Sequence, residues 1–197
     1  MVMVSALSAL LALAQYAPAL PPGQIKLAPS QWPVIEGDEV TLPIAGAKAT
    51  VILFVAVDCP ISNRYAPEYG RIQADFKEKG IEVVRVYIDD TVAIKDIVQH
   101  GKEFDLTATR AIFDPKHKLV KALGVTVTPE AAVVGPDGTL LYRGRIDDLY
   151  ASHGRLREGD YRKDLREALN EIVEGKPVSV PFTNATGCGI PDAGDPR

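Results

Sequence analysis

Thr50-Val51-Ile52-Leu53-Phe54-Val55-Ala56-Val57-Asp58-Cys59-Pro60-Ile61-Ser62 is the stretch that decides the fold. Val51 to Val57 is an unbroken apolar run rich in β-branched residues. A run of that length without alternation fits a strand buried on both faces. Asp58-Cys59-Pro60 ends it. Tyr65, Tyr69, Ile72 and Phe76 then recur at the spacing of one helix face, and Gly80 closes that helix. Cys59 is therefore delivered by a buried strand to its C-terminal edge, just before a helix, where open α/β sheets present their reactive groups. Unsatisfied backbone N–H groups and the positive end of the helix dipole favour thiolate over thiol there. Pro60 suits the first helical turn. Pro67 either kinks a helix that begins at Pro60 or marks where the regular helix starts.

Downstream, Ile81 to Ile88 reads as a second strand. Thr91 to Phe104 and Pro115 to Leu123 read as helices, the latter with proline in its first turn. Ala131 to Val134 and Thr139 to Tyr142 flank Gly135-Pro136-Asp137-Gly138, a β-hairpin signal. Asp160 is positioned to cap a last helix with Tyr161, Leu165, Ala168, Leu169, Ile172 and Val173 on its apolar face, ended by Gly175. Upstream, Glu39 to Leu42 adds a short edge strand. The order β-α-β-α-(α)-β-β-α predicts an α/β fold. Its central mixed sheet has parallel strands joined by a right-handed crossover, a C-terminal antiparallel hairpin and flanking helices. One domain is expected over residues 36–176, preceded by a Pro-rich lead-in at 15–35 and followed by a tail at 177–197 that carries Cys188.

The segment around Cys59 resembles the active-site segment of the thioredoxin-like fold, in which a buried strand ends in a C-x-x-C motif that opens a helix. Cys59 falls on the first, nucleophilic cysteine, and Ser62 stands where the second would be, making a C-x-x-S variant. Val127-Thr128-Pro129 resembles that family's cis-proline loop, which lies beside the reactive cysteine and binds extended substrate backbone. Three further stretches, Asp58 to Glu68, Gly144 to Asp148 and Thr186 to Ile190, are similar to a bacterial redoxin subgroup related to the alkyl hydroperoxide reductase/thiol-specific antioxidant group. Members of that subgroup are often exported. The resemblance implies Cys59, Cys188 and Ser62 as catalytic residues, with Pro60, Thr128 and Pro129 at the substrate site.

Ser62 cannot resolve a mixed disulfide, but its hydroxyl can donate to the Cys59 thiolate. Cys188, in a glycine-flanked tail, is the one intramolecular candidate for resolution. A structural bridge tying the tail to the domain, or a tail thiol with no role, is the alternative reading of Cys188. Thiol–disulfide exchange ranks above peroxide reduction, because peroxiredoxins carry Thr or Ser three residues before the reactive cysteine and this chain has Ala56. A thiol peroxidase with antioxidant activity and a non-catalytic binding module are the alternatives. The expected partners are a thiol- or disulfide-containing protein, or a small peroxide, together with an external thiol reductant.

No cofactor and no metal are expected. His100, His117 and His153 are isolated, and Asn63 occupies the second cysteine position of the copper-delivery C-x-x-x-C motif. A net charge of −4 over 197 residues gives no electrostatic reason to expect nucleic acid. Met1 to Ala14 is an apolar and small run ending in Ala12-Leu13-Ala14, which reads as a signal peptide. It is too short to span a bilayer, so no membrane span is expected after cleavage; an uncleaved anchor is the alternative. A periplasmic or otherwise extracytoplasmic location follows, and there a disulfide can persist.

Overall fold

The computed structural model describes residues 23–191. Two short strands, β1 (Ser30–Trp32) and β2 (Val40–Leu42), pair antiparallel ahead of the main sheet. The chain continues through β3 (Ala49–Val55), α1 (Pro60–Phe76), β4 (Ile81–Tyr87), α2 (Ile94–Glu103), β5 (Arg110–Phe113), α3 (Lys118–Leu123) and β6 (Val127–Thr128). It closes with β7 (Glu130–Val134), β8 (Leu140–Gly144), β9 (Tyr150–Ser152), β10 (Arg155–Leu156), α4 (Asp164–Val173) and β11 (Cys188–Gly189). The main sheet has the order β5-β4-β3-β7-β8; β3, β4 and β5 are parallel, and β7 and β8 run antiparallel to their neighbours. This is the mixed α/β architecture that the sequence predicts.

β3 lies at the centre, and every one of its residues is buried. Because successive side chains point to opposite faces, it feeds both halves of the core. Val51, Leu53 and Val55 meet Tyr69, Ile72 and Phe76 of α1 and Leu165 and Leu169 of α4. Ile52 and Phe54 meet Leu119, Val120 and Leu123 of α3, with Leu27 and Leu42 from the N-terminal segment. Burial of each such side chain contributes about 1.5–3 kcal/mol, so the strand that carries Cys59 is among the best-anchored parts of the molecule.

α1 runs unbroken through Pro67, which settles the choice that the sequence leaves open: the regular helix begins at Pro60. Other helix starts fall later than periodicity suggests, because local carboxylates hold the preceding residues in turns. Asp89 accepts from the backbone N–H and the hydroxyl of Thr91, so α2 opens only at Ile94. Asp114 accepts from the N–H groups of Lys118, Leu119 and Val120 at 2.8, 2.7 and 3.3 Å and thereby caps α3. α4 starts at Asp164, whose carboxylate is held by Arg145 Nε at 2.7 Å, and Asp160 lies outside it.

The described residues of both flanking segments pack on the domain. Leu27 is buried and its N–H donates to the Gly138 carbonyl at 2.9 Å. A Cβ on Gly138 would come within 2.1 Å of the Leu27 carbonyl oxygen, so this hairpin turn requires glycine where the N-terminal segment crosses it. At the other end, the N–H of Arg143 donates to the Pro181 carbonyl at 2.9 Å, and Ile190 is fully buried. The expected signal peptide at Met1 to Ala14 lies outside the described residues. Among the described residues no helix is long and apolar enough to cross a membrane.

Candidate active site

Cys59 is the N-cap residue of α1, with extended backbone (φ −80°, ψ 110°) and Pro60 in the first turn. Its side chain is buried, and Sγ accepts from the Ser62 N–H at 3.5 Å. The sulfur thus satisfies one of the orphan donors at the start of the helix, which is an N-cap's ordinary work. Across the site, the Cys59 thiol donates to the Thr128 carbonyl at 3.1 Å. The Thr128–Pro129 peptide bond is cis. Glu130 holds this loop from behind: its Oε2 accepts from the N–H groups of Thr126 and Val127 at 2.9 and 3.4 Å, and its other oxygen faces Arg143 Nε at 3.6 Å.

The tail brings Cys188 to the same place. β11 lies antiparallel on β6, with Cys188 opposite Thr128 and Gly189 opposite Val127. Cys59 and Cys188 are both free thiols. All six residues singled out from the sequence therefore lie in one neighbourhood. Ser62, Thr128 and Cys188 surround the Cys59 thiol; Pro129 follows Thr128, and Pro60 borders a cleft of about 310 Å³ together with Arg64, Tyr150, His153 and Cys188. A second cleft of about 570 Å³, bordered by Asp58, His117, Thr128 and Gly189, opens on the other side of Cys188.

The two thiols are electrostatically unequal. Burial pushes Cys59 up, but donation from the Cys188 thiol, the Ser62 N–H, the Ser62 hydroxyl and the Thr128 side chain outweighs it, and the net pKa lies below the ordinary thiol value. The Ser62 hydroxyl is buried without a hydrogen bond of regular geometry. Cys188 is pushed up to about 12, first by burial, then by its hydrogen bond to Cys59 and by the charges of Cys59 and Asp58. Of the two thiols, Cys59 is therefore the more readily ionised.

Several supporting residues escaped the sequence reading. Asn63 Nδ2 donates to the Val57 carbonyl at 2.9 Å, pinning the turn that presents Cys59. Its Oδ1 lies 2.8 Å from His100 Nε2, and His100 Nδ1 lies 2.9 Å from the Tyr87 hydroxyl, which accepts from Arg85 at 2.7 Å. Read from Arg85 onward, every donor has one acceptor only if His100 is neutral and protonated on Nε2. Burial and the Arg85 charge, which both lower the His100 pKa, agree with that form. Asp147 is buried and accepts from the Tyr65 hydroxyl at 2.5 Å and the Leu149 N–H at 3.1 Å. Arg143 and Arg145 are engaged with Glu130 and with Asp148 and Asp164, respectively. Among the described residues no group of three or more His, Cys, Asp or Glu side chains is placed to hold a metal ion.

A cysteine that caps a helix after a buried strand, beside a cis-proline loop, defines a redoxin of the thioredoxin-like class. The chain belongs to the AhpC/TSA family, which it matches over residues 26–143. Among curated proteins nothing matches it significantly. Its fold is similar to that of an uncharacterized conserved protein from Geobacillus kaustophilus, at 24% identity and a TM-score of 0.73, covering 89% of this chain and 96% of that one. It is also similar to a hypothetical protein from Sinorhizobium meliloti, at 22% identity and a TM-score of 0.74, covering 88% and 95%. A third likeness is to the pneumococcal exposed lipoprotein thioredoxin Etrx1 from Streptococcus pneumoniae, at 20% identity and a TM-score of 0.57, covering 73% and 99%.

Proposed function

We propose that this chain is a thiol–disulfide oxidoreductase acting outside the cytoplasm, with Cys59 as nucleophile and Cys188 as resolving thiol. The carrying observation is the pairing of β11 with β6, which sets Cys188 opposite Thr128 and beside Cys59. In the reducing direction the Cys59 thiolate attacks one sulfur of an external disulfide, and the other sulfur leaves as a thiolate. A mixed disulfide remains on Cys59. Cys188, once deprotonated, attacks Cys59 Sγ and expels the second substrate sulfur. Two protein thiols are oxidised to a disulfide, and one external disulfide is reduced to two thiols. An external thiol reductant restores the pair.

Ser62 serves as a hydroxyl donor to the thiolate. Thr128 and Pro129 offer the extended edge along which a polypeptide substrate lies, and Pro60 borders the adjoining cleft. Peroxide is the slower oxidant. Ala56 lacks the hydroxyl that would orient it, and among the described residues no arginine donates to Cys59 Sγ. The apolar N-terminal run supports export, as does the surface location of the pneumococcal lipoprotein relative.

The test is a mass-spectrometric thiol map of the purified chain after limiting oxidised glutathione and, separately, hydrogen peroxide. Glutathione is expected to yield a Cys59–Cys188 disulfide by way of glutathionylated Cys59, and the mixed disulfide should accumulate in the Cys188→Ser variant. Unmodified Cys59 under both oxidants would remove the redox assignment.

A further inference from the structure

The tail is fitted to the edge of β6 at more points than a disulfide requires. Besides the Cys188–Thr128 and Gly189–Val127 pairs, the N–H of Ile190 donates to the Thr126 carbonyl at 2.9 Å. Gly187 stands against the cis-proline loop: a Cβ there would come within 2.3 Å of the Thr128 carbonyl oxygen and 3.2 Å of the Pro129 nitrogen. Ile190, two residues beyond the cysteine, is fully buried in the core half that holds Leu119, Leu123 and Val125.

Upstream the tail has a separate anchorage. The N–H of Thr183 donates to the Arg143 carbonyl at 3.1 Å, and Thr183 Oγ1 lies 2.8 Å from the Tyr142 hydroxyl. Between the two anchorages, Asn184, Ala185 and Thr186 make no hydrogen bond among the described residues. Residues 184–186 thus separate two anchorages, one at Thr183 and one over residues 187–190.

We propose that the β6 edge and its adjoining apolar pocket form a strand-docking subsite that selects a cysteine-bearing extended segment with a small residue immediately before the cysteine and an aliphatic side chain two residues after it, and that residues 187–190 are its displaceable resident ligand. The inference rests on Cys59 as the redox thiol for what happens after docking, but docking itself needs no redox step. Backbone pairing fixes the register of an incoming strand and puts its cysteine where Cys188 stands. The crowding at Gly187 rejects larger residues at the preceding position, and the pocket that takes Ile190 sets the following one. While the tail is docked, an external segment must displace it. Oxidation of the cysteine pair by an external disulfide, which is reduced to two thiols, would fix the tail in place and close the subsite.

The test uses the full chain in reducing buffer and a fluorescent peptide spanning Phe182 to Pro191 with serine at the cysteine position, read by anisotropy. In the Gly187→Ala variant the chain's own tail is crowded out, so the peptide should bind about tenfold tighter than to the unaltered chain. Ile190→Ser, which lifts the tail by removing its apolar anchor, should give a similar gain, with circular dichroism reporting that both variants fold. A peptide with alanine in the glycine position should bind neither variant. Equal binding to altered and unaltered chains, no binding to either variant, or equal binding of the alanine peptide would each overturn the inference. The serine peptide forms no disulfide, so a chain that exchanges thiols but docks no peptide would sink the subsite alone. A chain that docks the peptide but leaves Cys59 unreactive would sink the redox function alone.

Discussion

Replacing Cys188 by alanine should raise the pKa of Cys59. The Cys188 thiol is the strongest of the groups that hold Cys59 down, burial being the opposing influence. A hydrogen bond to a charged acceptor contributes about 1.5–3 kcal/mol. A thiol is a weak donor and Cys188 is partly open to solvent, so a contribution below that range is appropriate. About 1 kcal/mol corresponds to a roughly fivefold smaller thiolate fraction at a fixed pH below the midpoint. The assay is the rate of iodoacetamide alkylation of Cys59 between about pH 5 and 9. Removing Cys188 also uncovers the sulfur, which raises the plateau rate, so the quantity to compare is the midpoint. Cys188→Ala should shift it upward, whereas Cys188→Ser, which keeps a hydroxyl donor, should hold it close to the original while abolishing the intramolecular disulfide. A midpoint for Cys188→Ala at or below that of the unaltered chain would refute the donor role.

Three further outcomes are expected. Ser62→Ala removes a buried hydroxyl without a regular partner, so urea-denaturation stability should change by less than about 0.5 kcal/mol while the Cys59 midpoint moves up. Glu130→Ala strands the buried Arg143 and frees the N–H groups of Thr126 and Val127; a loss of about 3–5 kcal/mol is expected, and a loss under about 1 kcal/mol would argue against the buried pair as the loop's anchor. Burial, then the Arg85 charge, lower the His100 pKa, so the unfolded chain binds this proton more readily than the folded one. The stability it contributes is complete above about pH 6.5 and is lost as pH falls through the lowered folded value. His100→Gln should flatten urea stability measured between about pH 7.5 and 5, and an unchanged slope would rule out this group as its source.

What could be read in the sequence was what adjacent residues decide. The apolar run before Cys59 is continuous because β3 is buried on both faces, and Gly135-Pro136-Asp137-Gly138 announces the β7–β8 hairpin by its own chemistry. β5 gave no such signal: it is four residues long at the sheet edge, begins with exposed Arg110, and is defined by its pairing with β4. The tail was harder still. Its strand has two residues, and Gly187 looks like any flexible glycine until Thr128 and Pro129 are seen against it. Asn63, His100, Tyr87 and Arg85 sit on three different elements and meet only in the fold. Asp147 and Asp148 are neighbours in sequence with opposite fates, one under Tyr65 and the other bridging Arg145 and Arg157.

In the proposed mechanism, where Cys188 resolves, moving the second thiol from the helix to a returning strand changes what controls it. In a C-x-x-C motif the resolving cysteine sits on the same helix as its partner, so its position is as rigid as that helix. Here Cys188 is presented by a two-residue strand, the Ile190 anchor and the fit of Gly187, and its effective concentration at Cys59 is set by how often that strand is docked. The same docking supplies the hydrogen bond that stabilises the Cys59 thiolate. Any change that loosens the tail should therefore do three things together: raise the Cys59 midpoint, raise the rate at which a small reagent reaches the ionised sulfur, and slow resolution of a mixed disulfide. A change that acted on only one of these would show that docking and thiolate stabilisation are separable.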